Sequence, residues 1–378
     1  MCAKIYINAS SAISALGNDL DSIVNNINQN NTTLSSIDKH PVYNLNKDAE
    51  SALNVFLNKH TKYKKLDKTV QLSMLTAHQV FIEAGIISDH VGINIGSSRG
   101  ANEKWEDDYQ YFENKGKTRL LTSPLTTLGN ISSNVAKHLE VQGPCISHSI
   151  TCSTSLQAFA NAYAWIKADL LDTFIVGGTE AANSLFTIKQ MEALKIYSKS
   201  NHPKYASTPF IANNKLNTMT LGEGAASFVV SNKKKNAIAE IAGIGYQVDT
   251  ASSLTGIPDD GENLYKSMQM AVKEQEKVDL IICHAPGTVK GDAAELNAID
   301  RLFKQIPALY STKHITGHTL GASGALSAYF ATLILNNKVN VSFPYETRLP
   351  KLPSNIKSVL INAVGFGGNA SSILLKSI

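Results

Sequence analysis

Five short apolar runs constrain this chain more than any other feature. They lie at 91–95 (VGINI), 173–176 (TFIV), 225–230 (AASFVV), 279–283 (DLIIC) and 359–364 (VLINAV). Each has the length and β-branched content of a buried strand. Several empty into loops of Gly, Ser, Cys or His, which is where α/β sheets carry functional groups. A strand-like Lys4 to Ser11, an amphipathic Leu20 to Ile27, and helical patterns over Val70 to Ala84 and LQAFANAYAWI interleave with them. The fold class expected is α/β with mixed sheets. The Asn/Ser/Thr-rich passage from Asn25 to Asn46 has weak periodicity and is expected to cover the surface.

Composition narrows this further. With 378 residues, 43% hydrophobic and 17% charged, there is material for one large α/β unit or for two to three domains. Disorder, collagen and coiled coil are excluded. No apolar run reaches the roughly 18 residues of a membrane span, and the opening MCAKIYINASSAISALG lacks signal-peptide order. A cytoplasmic protein that engages no membrane is expected. Thirty-five Lys plus Arg against 31 Asp plus Glu give +4, too little to argue nucleic acid. The run Lys233-Lys234-Lys235-Asn236 marks the best boundary and divides the chain into 1–232 and 233–378. No solenoid period is visible.

The four cysteines, Cys2, Cys145, Cys152 and Cys283, form no C-x-x-C pair, as expected of reduced thiols. Cys152 stands apart because TCSTS leads into a helical run. Unpaired N–H groups at a helix start favour a thiolate, so a depressed thiol pKa is expected there. His284 opens the loop HAPGTVKGDAAE after a strand, and His318 lies in STKHITGHTLGASGAL before another helix. Together they make a Cys/His set suited to acyl transfer. Two other spacings look ligand-like, Cys145-x-x-His148-x-x-x-Cys152 and His314-x-x-x-His318. Gly317 interrupts the second, and neither has the glutamate of a zinc protease, so no metal is expected.

Taken in order, TCSTS, LGEGAA at 221–226, His284 followed by GT and GDAAE, STK-x-x-TGHTLGASG and GFGG at 365–368 resemble the β-ketoacyl-acyl-carrier-protein synthases from end to end. The resemblance implies the thiolase fold, five layers α-β-α-β-α in two similar halves, usually as a homodimer. It implies a Cys152–His284–His318 triad without metal or redox cofactor. Cys152 would take an acyl group from an acyl-carrier protein, and the two histidines would stabilise the enolate left when malonyl-carrier protein loses CO₂. Backbone N–H groups of Cys152 and Phe366 would form the oxyanion hole, and Phe366 would also be a gatekeeper beside Gly367 and Gly368 of the substrate loop. Thr288 matches a pantetheine contact, and Asp292 and Glu295 match supports of the histidine loop. Lys62, Lys64, Lys65 and Lys68 fall where the family meets its acidic carrier protein. They are equally explained as a solvated helix end.

The chain also departs from the pattern. Pro286 stands where a hydroxyl is usual, and Asn369-Ala370 follows GFGG in place of Thr-Asn. Ser327 replaces a glutamate that ordinarily pairs with the lysine at Lys313. These changes imply a divergent branch serving a polyene or polyketide pathway. Segments 99–111 and 123–130 are expected in the acyl-pocket wall. Three alternatives stay open: a non-condensing chain-length-factor-like subunit of a heterodimer, which characteristically lacks the cysteine, a thiolase, or a CoA-dependent synthase. The last two use Cys-His-Cys or Cys-His-Asn.

Overall fold

Apolar runs flanked by turn residues pair into strands, and their hydrogen-bond order repeats. The structure, a computed structural model, describes residues 4–128, 130–213, 215–250, 258–272 and 277–378, so Cys2 lies outside the described residues. Its strands are β1 (Tyr6–Ser14), β2 (Leu34–Ile37), β3 (His40–Tyr43), β4 (Gly92–Gly96), β5 (Cys145–Ile146), β6 (Thr173–Glu180), β7 (Gly224–Ser231), β8 (Ala239–Val248), β9 (Leu280–Ile282), β10 (Ala308–Tyr310), β11 (Ser358–Gly365) and β12 (Asn369–Lys376). All five apolar runs are among them. The passage 25–46, of weak periodicity and expected to cover the surface, holds the β2–β3 hairpin, whose turn residues Asp38 and Lys39 adopt positive φ.

Ten strands form one sheet in the order β10-β9-β11-β12-β8-β1-β7-β6-β4-β5. β5, β4 and β6 are parallel, and β7 and β1 then follow antiparallel. β10, β9 and β11 are likewise parallel, and β12 and β8 then follow antiparallel. The two halves therefore share one topology. They meet where β1 pairs antiparallel with β8, Tyr6 opposite Glu240 and Ile7 opposite Ala239. The 233–236 run lies between the last strand of the first set and the first of the second.

Helices complete the layers. Lys68–Glu83 packs on β1, β6 and β7, and Glu262–Ala271 packs on β8, β11 and β12. Between the halves lie Thr154–Lys167 and Ser323–Leu335, each touching strands of both. This is the five-layer α-β-α-β-α arrangement. Every residue of Ser323–Leu335 is buried, which accounts for a sequence apolar all round rather than striped. The two central helices approach closely because Gly324 has no side chain. A Cβ there would lie 2.6 Å from Leu156 Cγ and 2.9 Å from Ser155 Oγ.

On the outer face of the first half, His60, Tyr63, His78, His138 and Phe56 cluster. His138 Nε2 lies 3.0 Å from His78 Nδ1, and the Tyr63 hydroxyl is 3.2 Å from His138 Nδ1. Burial, then the neighbouring His78 and His60, then Lys62, push His138 down to about 4, and burial with His60 and Lys59 lowers His78. In the unfolded chain the same rings titrate near 6.5. Unfolded chains thus bind more protons between about 6.5 and about 4, so stability falls as pH falls through that window. Urea midpoints measured at pH 7 and pH 4.5 should converge in His138→Gln relative to the unsubstituted protein. Equal acid sensitivity in both would mean the cluster contributes nothing.

Candidate active site

The nucleophile segment is wound tightly before its helix. Thr151, a β-branched residue, has φ of 49°, a conformation that persists only when the surroundings impose it. Thr154 Oγ1 accepts from Ile150 N at 2.8 Å and donates to Thr151 O at 2.6 Å, and Ser153 Oγ donates to Ile150 O at 2.8 Å. These bonds set Cys152 one residue before the helix N-cap, Ser153. The opposite wall is the β11–β12 hairpin turn. At Gly365 a Cβ would fall on the Thr151 hydroxyl and 2.7 Å from Cys152 N, so no larger residue lets the two loops meet. Thr151 Oγ1 also donates to Phe366 O at 3.3 Å. Gly367 and Gly368, at φ of 79° and 72°, complete that turn.

The histidines arrive from the other half. His284 follows β9, and Glu295 accepts from its N–H at 2.9 Å, from Ala285 N at 2.8 Å and from Asn362 Nδ2 at 3.0 Å. Asp292 accepts from Gly287 N and Thr288 N at 3.0 and 3.1 Å. His318 is seated by the LGEGAA segment: its N–H donates to Thr220 O at 2.7 Å, and its carbonyl accepts from Gly222 N at 3.1 Å. Glu223 of that segment accepts from Leu45 N at 2.9 Å and pairs with Lys68 at 2.7 Å. One ligating atom each from Cys152, His284 and His318 lies within 4.8 Å of the other two, and the imidazole centroids are 5.1 Å apart at 79°.

Electrostatics corrects one expectation. Burial pushes the Cys152 thiol up to about 12, against the pull of Lys313 and Arg99, whereas the helix start suggested a depressed value. Desolvation of a thiolate outweighs the favourable field here, so the resting group is the thiol. The His284 and His318 imidazoles are both held well below 6.5, first by burial and then by Lys313, and are neutral at pH 7. Burial lowers Lys313 to about 8, while Glu295 is its strongest opposing influence. With Ser327 buried where a glutamate was expected, Glu295 is the leading counter-charge for Lys313.

A cavity of about 180 Å³ opens onto the triad. Asn217, Pro286, Thr288 and Lys290 line it together with Met191, Ile196, Met219, Leu320 and Phe366. None of the described residues of segments 99–111 and 123–130, expected in the wall, lines this cavity. Much of the intervening chain is instead wound into helices Asn102–Lys115 and Thr122–Thr126. The apolar wall comes from helix Leu185–Ala193 and its sequel, whose Met191 and Ile196 had no motif to mark them. Glu180 was missed as well. It is fully buried at the end of β6, and its carboxylate accepts from Ser97 Oγ and Ser98 N at 2.8 Å, Gly321 N at 2.9 Å and Arg99 N at 3.2 Å. It ties the loop after β4 to the loop carrying His318, and burial raises it to about 7.

The lysines divide. Lys62, Lys64 and Lys65 are exposed on the 3-10 turn Thr61–Lys65. Lys68, expected among them, turns instead to the buried Glu223, because a carboxylate out of water requires a cation. The two ligand-like spacings dissolve into ordinary hydrogen bonding. His148 contacts Asn94 Nδ2 and Thr154 O, each at 3.0 Å, and His314 contacts Ser311 O and Asn30 Oδ1 at 3.0 and 2.9 Å.

Known proteins carry the same pattern. The profile of the β-ketoacyl synthase N-terminal domain matches residues 3–236, and that of the C-terminal domain matches 238–343. A 3-oxoacyl-[acyl-carrier-protein] synthase 2 from Coxiella burnetii is 31% identical over 349 residues, covering 83% of each chain. The ishigamide ketosynthase/chain length factor superposes with a TM-score of 0.85 at 16% identity, covering all of both chains. A type II polyketide acyl-carrier protein in complex with its ketosynthase bound to the hexaketide superposes at 0.83 with 19% identity and the same coverage.

Proposed function

Because the chain belongs to the β-ketoacyl synthase family, we propose that it is a condensing enzyme that joins an acyl group to malonyl-carrier protein with loss of CO₂. The observation that carries this reading is the convergence of Cys152, His284 and His318 within 4.8 Å, one from the first half and two from the second, with both imidazoles neutral. A retained cysteine also sets the chain apart from non-condensing subunits.

The chemistry follows from the protonation states. In acylation the Cys152 sulfur attacks the thioester carbonyl, its proton passes through a neighbouring imidazole to the departing pantetheine sulfur, and the carrier leaves as a thiol. The oxyanion faces the N–H groups of Cys152 and Phe366, a donor pair of the kind that contributes about 3 kcal/mol per donor. Malonyl-carrier protein then loses CO₂. Neutral imidazoles donate hydrogen bonds to the enolate oxygen, and the enolate carbon attacks the acyl-cysteine, giving a 3-oxoacyl-carrier protein and expelling the Cys152 sulfur as a thiolate, which takes a proton from solvent to return to the resting thiol. No metal or redox cofactor enters these steps. The partner is an acidic acyl-carrier protein steered by Lys62, Lys64 and Lys65, and the enzyme works as a homodimer or beside a ketosynthase-like chain length factor. Pro286 and Ser327 favour polyene or polyketide substrates over bulk fatty acids.

The test is intact-mass measurement after incubation with hexadienoyl- or octanoyl-acyl-carrier protein. One acyl adduct per chain, discharged on adding malonyl-carrier protein, is expected. No adduct from either donor would overturn the reading.

A further inference from the structure

The triad has the donor composition of a transition-metal site that neither sequence spacing indicated. One thiol sulfur and two imidazole nitrogens are the donors that suit tetrahedral Zn²⁺. Zn–S of about 2.3 Å and Zn–N of about 2.0–2.1 Å put such donors about 3.3–3.6 Å apart. Here the three atoms already lie within 4.8 Å of one another, so side-chain rotation closes the remainder. Among the described residues nothing pins the rings against that rotation at Nδ1, since the Nδ1 atoms of both His284 and His318 are buried without a hydrogen-bond partner there. All three residues are buried at the floor of the cavity, which supplies both an entry path and room for a water as fourth ligand.

We propose that Cys152, His284 and His318 bind Zn²⁺ reversibly, and that the bound ion holds the protein inactive by occupying the sulfur that must be acylated. Binding exchanges one proton: the Cys152 S–H breaks, the sulfur lone pair bonds to the ion, and the proton leaves to solvent. No oxidation state changes. An acylated sulfur is a poor ligand, so acylation and metal exclude each other. The nearby Lys313 ammonium opposes a divalent cation and keeps the site weaker than a structural zinc site. The metal site rests on triad geometry and its inhibitory effect on the condensing reading, so a protein that fails the acylation test can still pass the following one.

Tag-free, metal-stripped protein is titrated with Co²⁺ as the spectroscopic stand-in, then with Zn²⁺. One equivalent is expected to produce a thiolate-to-cobalt charge-transfer band with the intense visible bands of tetrahedral cobalt, all removed by Zn²⁺. Cys152→Ser should abolish the charge-transfer band. His284→Ala and His318→Ala, with near-ultraviolet circular dichroism confirming their folds, should each weaken Zn²⁺ binding at least about tenfold. Alkylating Cys152 with iodoacetamide should block the titration, and Lys313→Met should tighten it. Absence of the charge-transfer band, or its persistence in Cys152→Ser, would overturn the proposal. So would a nitrogen-only cobalt spectrum lost in His138→Gln, since that would place the metal at the outer histidine cluster.

Discussion

A Cys152→Ser protein is expected to keep its fold and to lose condensing turnover by about four to six orders of magnitude, the scale on which essential nucleophiles fail. The substitution exchanges one atom in a buried position, 7% exposed, whose backbone is fixed by Thr154, Ser153 and the Gly365 approach. Thermal midpoints should therefore stay close. The reaction changes because a hydroxyl is far less acidic than a thiol and a far weaker attacker of a thioester. Burial already disfavours the anion at this site, raising even the thiol to about 12. Attack then depends on proton transfer to a neutral imidazole within the 4.8 Å set, and an oxygen nucleophile makes that transfer much more costly. No other described cysteine offers a substitute. Cys283 is fully buried before His284 and points to Ile281 O at 3.9 Å, while Cys145 sits on the edge strand β5. Turnover within tenfold of the unsubstituted enzyme would place the nucleophile elsewhere.

What could be read from the chain depended on whether the information was local. The strands were legible because a buried strand needs consecutive apolar residues, and VGINI and DLIIC supply them. Cys152, His284 and His318 were legible because each lies in a loop whose small residues are themselves required. The equivalence of the halves was legible only through the family resemblance, since a shared hydrogen-bond order needs no shared residues. Glu180 lies just past the apolar run 173–176 with nothing local to mark it, as its four donors come from residues 97–99 and 321, far away in sequence. Lys68 and Glu223 each sat in a convincing motif of its own, and only their 2.7 Å contact shows that they belong together. The thiol's direction of shift was misread because the helix start is visible in the sequence while the desolvation that outweighs it is not.

Lys313, whose supporting role Ser327 put in doubt, has Glu295 as the leading influence that raises its pKa against burial, and that carboxylate leads to the second large effect. Glu295→Ala is expected to cost about 1–3 kcal/mol of stability for each buried donor it leaves without an acceptor. Glu295 is 1% exposed. Its loss strips acceptors from His284 N, Ala285 N and Asn362 Nδ2 and leaves Lys313 without its leading counter-charge. Glu295→Gln preserves volume but presents one carbonyl oxygen, so its amide NH₂ must face an N–H that now lacks an acceptor. That change should cost about 1–3 kcal/mol. The amide protein is the informative one for chemistry. Asp292 independently holds Gly287 and Thr288, so the mouth of the cavity stays in place and KM for the acyl donor should barely move. Whichever way the amide turns, the backbone N–H of His284 or of the adjacent Ala285 loses its acceptor and the turn that carries the imidazole shifts, so kcat should fall by at least about a hundredfold, as expected when a reacting group is displaced by a fraction of an ångström. Urea denaturation and steady-state kinetics on both variants check the two halves of this expectation. A glutamine variant with unchanged kcat would show that the carboxylate supports the fold without positioning His284, and an alanine variant losing less than about 1 kcal/mol would show that Lys313 draws its compensation from elsewhere.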